Sequence, residues 1–358
     1  MFNLFHFGTC WVGGAGIWRR GGGLIYTIAM SNIDSLIKRG EACYSEGLYD
    51  SAIASYGQAM AAGEESSQLY CLRAKAYLAK GWEAAGRAPS GEEAYEKWAA
   101  AFGDSPEVEL AHADAQRAVE LDPKNSDAWY GLGVILMDKR LWTRAVEAFD
   151  KCQELHPDDF EAKYWQAVAF DEMGDTARAL ETLDAVLAMN EDCHEACYMR
   201  AQIRADKDEL APALADIARA IELDPETPEY HLEKGRILYF MAEKPEGAAR
   251  LPEAIEDFTE ALRLEPEYAE AYNWRSLAYL QAGDDRRELA DLDALIKLEP
   301  ANAEAYKRRY DCHAACGHRA EAAGDWLYLC TLDPRAAADP FKGAAGKATE
   351  DFKKLRGN

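Results

Sequence analysis

The sequence contains no apolar run of the ~18–20 residues that a membrane-spanning helix requires. It has no excess of basic residues either, since 64 acidic residues against 40 Lys and Arg give a formal net charge of −24. Nucleic acids and anionic lipid surfaces attract basic proteins. The sequence therefore predicts no nucleic-acid partner and no membrane span.

The common catalytic motifs are missing as well. The chain has no G-x-S-x-G, no phosphate-binding G-x(4)-G-K-[ST], no H-E-x-x-H and no dinucleotide-binding G-x-G-x-x-G. Each of these motifs supplies a nucleophile, a phosphate cradle, a metal site or a cofactor turn. We therefore predict a protein that is not an enzyme and that uses no cofactor.

The nine cysteines form an odd number in a chain without a convincing export signal, so a disulfide framework is not expected. This predicts a cytoplasmic protein. Two cysteine clusters stand out, Cys193 with Cys197 and Cys312 with Cys316, the second near His318. Thiols one helical turn apart are possible Zn²⁺ ligands. However, Cys312 is predicted to face the core and no second pair of this kind completes a site, so we predict no bound metal.

Residues 1–29 differ in composition from the rest, with seven glycines and no acidic residue. A secretory signal places basic residues before its apolar stretch, whereas Arg19 and Arg20 follow it here. We interpret 1–29 as an extra or disordered segment, with Met30 as the natural start. An unusual anchor is the alternative.

Three consecutive segments of 34 residues align without gaps: 126–159, 160–193 and 194–227. Within a segment, positions 8, 20 and 27 hold mostly small residues, and position 24 holds a larger apolar one, Phe149, Leu183 or Ile217. Helices that cross closely need small residues where they touch and a large residue beside the contact. Each segment is therefore predicted to be a pair of packed helices.

A proline near position 32 closes most segments, because proline cannot continue a helix. This pattern resembles the tetratricopeptide repeat (TPR) family, whose unit is a 34-residue helix–turn–helix. The resemblance implies an all-α fold, an α-solenoid in which about eight repeats form a right-handed superhelix within residues 30–336. The repeats are predicted at 33–66, 67–125, 126–159, 160–193, 194–227, 228–268, 269–302 and 303–336.

Comparison of the repeats with one another reveals paired charges. Position 7 is basic in most repeats, and five of these repeats have aspartate at position 23 on the second helix. We predict five ion pairs between the helices of one repeat, with an aspartate of the neighbouring repeat as the alternative partner and an arginine ladder for a ligand as the alternative role. The predicted pairs are Arg73–Asp114, Arg200–Asp216, Lys234–Asp257, Arg275–Asp291 and Arg309–Asp325.

In the resembled family, the first helices line a concave groove, and residues near positions 2, 5, 6, 9, 12 and 13 point into it. Carried onto this sequence, these positions predict an aromatic floor and an acidic rim that bind a basic, apolar segment. The alternative is that the tyrosines only pack against the next repeat. The predicted partner-binding residues are Tyr130, Val134, Asp138, Tyr164, Trp165, Val168, Glu172, Tyr198, Gln202, Asp206, Arg236, Asn273, Trp274 and Leu277.

The second repeat contains an insertion at about 81–105. Ser90 and Glu93 have capping-box spacing, and Tyr95, Trp98 and Phe102 share one helical face, which predicts a short extra helix. It is a second candidate contact region, or else a packed extension of its repeat. The tail, 337–358, is predicted to be a capping helix, with a basic interaction tail as the alternative.

Helical repeat arrays present long surfaces to other proteins. We therefore expect a non-catalytic scaffold or adaptor for protein or peptide partners. A secretion or assembly chaperone and an accessory subunit of an enzyme complex are the alternatives, followed by a catalytic protein with a hidden site. The sequence does not indicate the oligomeric state.

Overall fold

The computed structural model describes residues 25–86, 92–244 and 248–332. Within these ranges the chain forms 17 α-helices and a short 3-10 helix, with no strand. The described residues up to Asn190 form one compact unit, and the described residues from Glu191 onward form a second. The all-α class predicted from the sequence is confirmed.

The first compact unit consists of helices that pack as successive pairs. Helix α1 packs on α2, α3 on α5, α6 on α7 and α8 on α9, while α4 is the extra helix of the insertion. The helices are α1 (Ile25–Ser45), α2 (Tyr49–Ala61), α3 (Ser67–Ala85), α4 (Glu92–Gly103), α5 (Pro106–Leu121), α6 (Ser126–Asp138), α7 (Trp142–Leu155), α8 (Phe160–Glu172) and α9 (Thr176–Met189).

The second compact unit repeats this arrangement, with α10 on α11, α12 on α13, α14 on α15 and α16 on α17. The 3-10 helix, Ala248–Arg250, directly precedes α13. The helices are α10 (His194–Asp206), α11 (Leu210–Leu223), α12 (Pro228–Ala242), α13 (Leu251–Leu264), α14 (Ala269–Ala282), α15 (Asp285–Leu298), α16 (Ala303–Ala315) and α17 (Arg319–Leu332).

The helices can be compared with the terminal segments that were predicted from the sequence. Helix α1 begins at Ile25, so it extends across the predicted start at Met30. The predicted tail helix at 337–358 lies outside the described residues, as do most of 1–29 and the proposed cap at Ser90. The boundaries of the eight repeats stay predictions.

Short polar side chains begin many of the helices. Asn125 accepts hydrogen bonds from the N–H groups of Asp127 and Ala128 at the start of α6, and the Asp159 carboxylate accepts one from Ala162 at the start of α8. These bonds satisfy backbone donors that have no partner within the helix. Both caps lie in the turn that joins one helix pair to the next, so they fix where the first helix of each of these pairs begins.

The two helices of a repeat touch where position 8 is small. Three repeats place a glycine there against a buried aromatic ring at position 24: Gly40 against Tyr56, Gly133 against Phe149 and Gly235 against Phe258. The absent side chain lets the ring lie directly on the backbone of the first helix. The contact predicted from the small-residue pattern therefore forms part of the core.

The five predicted ion pairs are all present, each within one predicted repeat, and Arg309 also pairs with an aspartate of the preceding repeat, Asp293, at 2.6 Å. The carboxylates are buried, so each pair lies at the helix–helix contact and has a structural role. The distances are 2.6 Å for Arg73–Asp114, 2.6 Å for Arg200–Asp216, 2.9 Å for Lys234–Asp257, 2.7 Å for Arg275–Asp291 and 2.5 Å for Arg309–Asp325.

The insertion forms the expected extra helix, α4, which packs on α3, α5 and α6. Its aromatic face is built as predicted, because the rings of Trp98 and Phe102 stack 5.8 Å apart and Tyr95 lies 6.0 Å from Trp98. Trp82 of α3 joins this cluster, with its ring 4.2 Å from Phe102. The insertion is therefore a packed part of the first compact unit.

Candidate partner-binding surfaces

The predicted residues of α6 and α8 form one contiguous group in the first compact unit. The Trp165 indole N–H donates to the Tyr130 hydroxyl at 3.1 Å, and both side chains are half-buried. Val134 is also half-buried. By contrast, Tyr164 is only 3% exposed and Val168 is 9% exposed, so these two pack against neighbouring helices.

An open cleft of about 490 Å³ adjoins Tyr130. Its carboxylates come from the first turns of α6 and α8 and from the loop that precedes α8. Burial raises the pKa of Asp127, and the charge of Asp159 adds to this increase while His156 opposes it. The lining residues are Asp127, Tyr130, Leu155, His156, Pro157, Asp158, Asp159, Phe160 and Glu161.

The acidic residues that were predicted to form a rim at position 13 have different surroundings in the structure. Glu172 is exposed at the end of α8, whereas Asp138 lies beside the insertion. Gly103 of α4 lies so close to the Asp138 carbonyl that a Cβ there would be 2.6 Å from its oxygen. Burial raises the pKa of the Asp138 carboxyl to about 8, although a hydrogen bond with Trp82 acts in the opposite direction. Asp138 therefore contributes to the packing beneath α4.

We expect the stability of the first compact unit to fall as the pH rises from about 4 through about 8. The folded pKa of Asp138 lies above the unfolded value, so the folded state holds a proton that the unfolded state releases. This single group contributes a slope of at most about 1.4 kcal/mol per pH unit. Asp138→Asn keeps the hydrogen-bond acceptor and removes the titration. Urea unfolding between pH 5 and 8.5 measures the difference.

The control for this experiment is Asp206→Asn, which changes the exposed aspartate of the same predicted column. The stability of Asp138→Asn relative to the wild type should increase steadily between pH 5 and pH 8. A wild type and an Asp138→Asn variant with parallel pH profiles would show that this carboxyl is ionised in the folded state.

In the second compact unit, two of the three predicted partner-binding residues of α10, Tyr198 and Gln202, contact other side chains of the protein. Tyr198 is 9% exposed, its ring lies 4.9 Å from that of Tyr230, and its hydroxyl accepts a hydrogen bond from Gln202 at 3.0 Å. Burial raises the pKa of Tyr198 strongly. Asp206, at the end of the helix, is exposed.

The residues of α12 and α14 form an aromatic and cationic surface. The Arg236 guanidinium lies 5.2 Å from the centre of the Trp274 ring, within range of a cation–π interaction. Arg236 also bonds Glu233 at 2.8 Å. Leu277 is half-buried. Asn273 accepts a hydrogen bond from Arg308 of α16 at 2.8 Å.

Sequence reasoning missed three neighbours of this surface. Tyr239 and Phe240 place their rings 5.7 and 5.6 Å from Trp274, and Arg308 bonds both Asn273 and Ser276. These residues occupy positions 12, 13 and 6 of their predicted repeats, which are among the positions used to predict the groove. The same signal would have found them if it had been applied to every repeat.

The two cysteine clusters differ in their surroundings. Cys193 is buried, and its thiol lies 3.6 Å from the Glu195 carboxylate. Cys312 is buried as predicted, while Cys316 is half-buried one turn later, and Asp285 of α15 lies beside both. Only the second cluster brings together three groups suited to holding a metal, among the residues that the structure describes.

Comparison with known proteins agrees with this architecture. One tetratricopeptide repeat model matches residues 107–160, 140–187 and 164–228, and a second TPR model matches 250–283. Helix pairs of this length, stacked in tandem, define an α-helical repeat protein. The chain belongs to the tetratricopeptide repeat family and has the α-solenoid fold, and such repeats generally bind protein or peptide partners.

The solved structures to which the chain is similar share little sequence with it. Pseudomonas aeruginosa PilF is 15% identical and covers 70% of this chain and 99% of its own, with a TM-score of 0.53. A tetratricopeptide repeat protein from Parabacteroides merdae is 18% identical over 66% of this chain and 91% of its own, with a TM-score of 0.47. YrrB, described as a TPR protein with an unusual peptide-binding site, is 19% identical over 55% and 97%, with a TM-score of 0.45.

No curated protein matches the chain. Among the described helices, none is both long enough and apolar enough to cross a membrane.

Proposed function

We propose that this protein is a non-catalytic scaffold or adaptor that binds a basic and apolar peptide segment through the first helices of its repeats. The acidic cleft beside Tyr130 is the observation that supports this proposal. Four carboxylates, those of Asp127, Asp158, Asp159 and Glu161, surround one opening in the first compact unit. A lysine or arginine side chain is the natural complement of such a cleft.

Tyr130 and Trp165 supply the apolar part of the proposed site. Their rings are joined by a hydrogen bond, which holds two half-buried aromatic side chains in fixed positions. Rigid aromatic residues are common anchors of protein interfaces, since they bury a large area at a small entropic cost. An apolar residue next to a basic one in the partner would contact both elements of this surface.

The overall charge favours the same partner. A formal net charge of −24 attracts basic segments over several ångströms and repels acidic ones and nucleic acids. We also propose a cytoplasmic location, since all eight cysteines within the described ranges are free thiols. Thiols of this kind persist in a reducing compartment.

The test is a displayed library of random peptides selected against the full chain. We expect enriched peptides to combine Lys or Arg with apolar residues. Asp158→Asn/Glu161→Gln should weaken the binding of a selected peptide about tenfold, which corresponds to two rim charges of about 0.7 kcal/mol each. Fluorescence anisotropy at two salt concentrations measures the change.

The matched control is Glu147→Gln/Glu181→Gln, which removes the same charge from exposed positions on α7 and α9. It should leave the affinity within about twofold, since distant exposed charges are screened by salt. Enrichment of acidic peptides, or equal weakening by both double variants, would rule out the cleft as the binding site.

A further inference from the structure

We propose that Asp285, Glu288, Cys312 and Cys316 form a binding site for one Zn²⁺ ion between α15 and α16. This site is independent of the proposed peptide cleft, which lies in the other compact unit. Two thiolates and two carboxylates would complete the four-coordinate, tetrahedral set that zinc prefers in structural sites.

The topology brings these four residues together. Helix α15 begins at Asp285, and α16 packs against it and ends at Ala315, so the first turn of α15 lies beside the last turn of α16. Asp285 and Glu288 are three residues apart, and Cys312 and Cys316 are four apart. Both spacings place side chains on one helical face.

The distances already approach those of a metal site. The Cys316 Sγ lies 3.3 Å from the Asp285 Oδ2, and the Cys312 Sγ lies 3.7 Å from the Asp285 carbonyl oxygen. One ligand atom from each of Asp285, Cys312 and Cys316 lies within 4.8 Å of the other two. Tetrahedral bonds of about 2.3 Å to sulfur and about 2.0 Å to oxygen place ligand atoms about 3.5 Å apart. Little movement is needed to form them.

Glu288 supplies an independent observation. Its side chain is 1% exposed, and its Oε2 makes no hydrogen bond within the part of the chain that the structure describes. Its Oε1 lies 3.9 Å from Arg308. A buried carboxylate oxygen without a partner is costly. Coordination of a cation would satisfy this oxygen.

The electrostatics favour a cation over a free thiolate. The Asp285 carboxylate lies beside the Cys316 thiol, and the Glu288 carboxylate lies within hydrogen-bond reach of the Cys312 thiol. Carboxylates that oppose a thiolate attract a divalent ion, which removes the thiol proton when it binds. Sulfur ligands select Zn²⁺ over Mg²⁺ and Ca²⁺, which prefer oxygen alone.

The experiment uses Co²⁺ as a spectroscopic probe and Zn²⁺ as the competitor. The full chain is reduced with a phosphine, freed of metal and titrated with Co²⁺. We expect one equivalent to produce the thiolate-to-cobalt charge-transfer band and the visible bands of a tetrahedral ion, and one equivalent of Zn²⁺ to abolish them. Zn²⁺ should also raise the melting temperature, because it binds only the folded chain.

Two variants test the ligands. Cys316→Ser alters a half-buried position and should remove the charge-transfer band or weaken Co²⁺ binding more than about 100-fold. Asp285→Asn should weaken binding while retaining the helix cap at Asp284. The control is Cys330→Ser in α17, which should titrate like the wild type. The proposal is overturned if no thiolate band appears, if Cys316→Ser binds as tightly as the wild type, or if the stoichiometry is one ion per two chains.

Discussion

Replacement of Gly133 by alanine is expected to destabilise the first compact unit by at least about 2 kcal/mol. A Cβ at this position would lie 2.5 Å from Cε1 of Phe149 and 2.8 Å from its Cδ1 and Cζ. The Phe149 side chain is fully buried, so its ring cannot relieve this contact by moving into solvent without leaving the core. Urea unfolding followed by circular dichroism measures the loss of stability. Hydrogen exchange of the α6 and α7 peptides shows whether the loss occurs in these two helices.

The matched control is Gly131→Ala, two residues earlier in the same helix. A Cβ on Gly131 would meet nothing within 4 Å. Alanine is the better helix former by about 0.5–1 kcal/mol, so this variant should be slightly more stable than the wild type. Variants that change stability equally would show that the Gly133–Phe149 contact does not limit packing.

Other repeats of the chain indicate which second substitution should compensate for Gly133→Ala. Two other repeats place alanine at position 8 beside a smaller residue at position 24, namely Ala167 with Leu183 and Ala201 with Ile217. Gly133→Ala/Phe149→Leu recreates the first of these combinations. We expect it to be more stable than the sum of the two single substitutions predicts, with a coupling of at least about 1 kcal/mol.

Much of the fold was predictable because a 34-residue period repeats the same contact many times. Small residues at position 8 and large ones at position 24 indicated closely packed helices, and the resemblance to the TPR family supplied the helix–turn–helix unit. The ion pairs followed from the same comparison, since a basic residue at position 7 accompanies aspartate at position 23. Each of these contacts joins two helices of one repeat. Both partners therefore recur at fixed positions of the 34-residue period, where comparison of the repeats can detect them.

Contacts that involve an insertion or a neighbouring repeat were not predictable in this way. Asp138 was assigned to the rim of a groove by its position number, but α4 packs beside it and changes its surroundings. The carboxylates of Asp285 and Glu288 come from the repeat before the one that holds Cys312 and Cys316. No spacing along the sequence associates these two pairs, and only the packing of α15 on α16 brings them together.

The second large effect is expected from Asp291→Ala, which should destabilise the second compact unit by about 3 kcal/mol. Arg275 donates from Nε to Oδ2 of Asp291 at 2.8 Å and from Nη2 to Oδ1 at 2.7 Å. The two side chains are 16% and 6% exposed. Truncation therefore leaves a largely buried guanidinium without its carboxylate. Urea unfolding measures the loss, and Glu154→Ala, which breaks the exposed pair with Lys151, should cost less than about 0.5 kcal/mol.

A second variant separates the cost of an unpaired charge from the value of the pair itself. One repeat of this chain has apolar residues at the same two positions, Leu132 and Ala148, and both are buried. Arg275→Leu/Asp291→Ala recreates that combination and should be more stable than Asp291→Ala alone, because it leaves no buried charge behind. If the double variant is less stable than the wild type, the ion pair stabilises the fold more than the apolar combination does. Helix pairing in these repeats would then depend on charge as well as on shape.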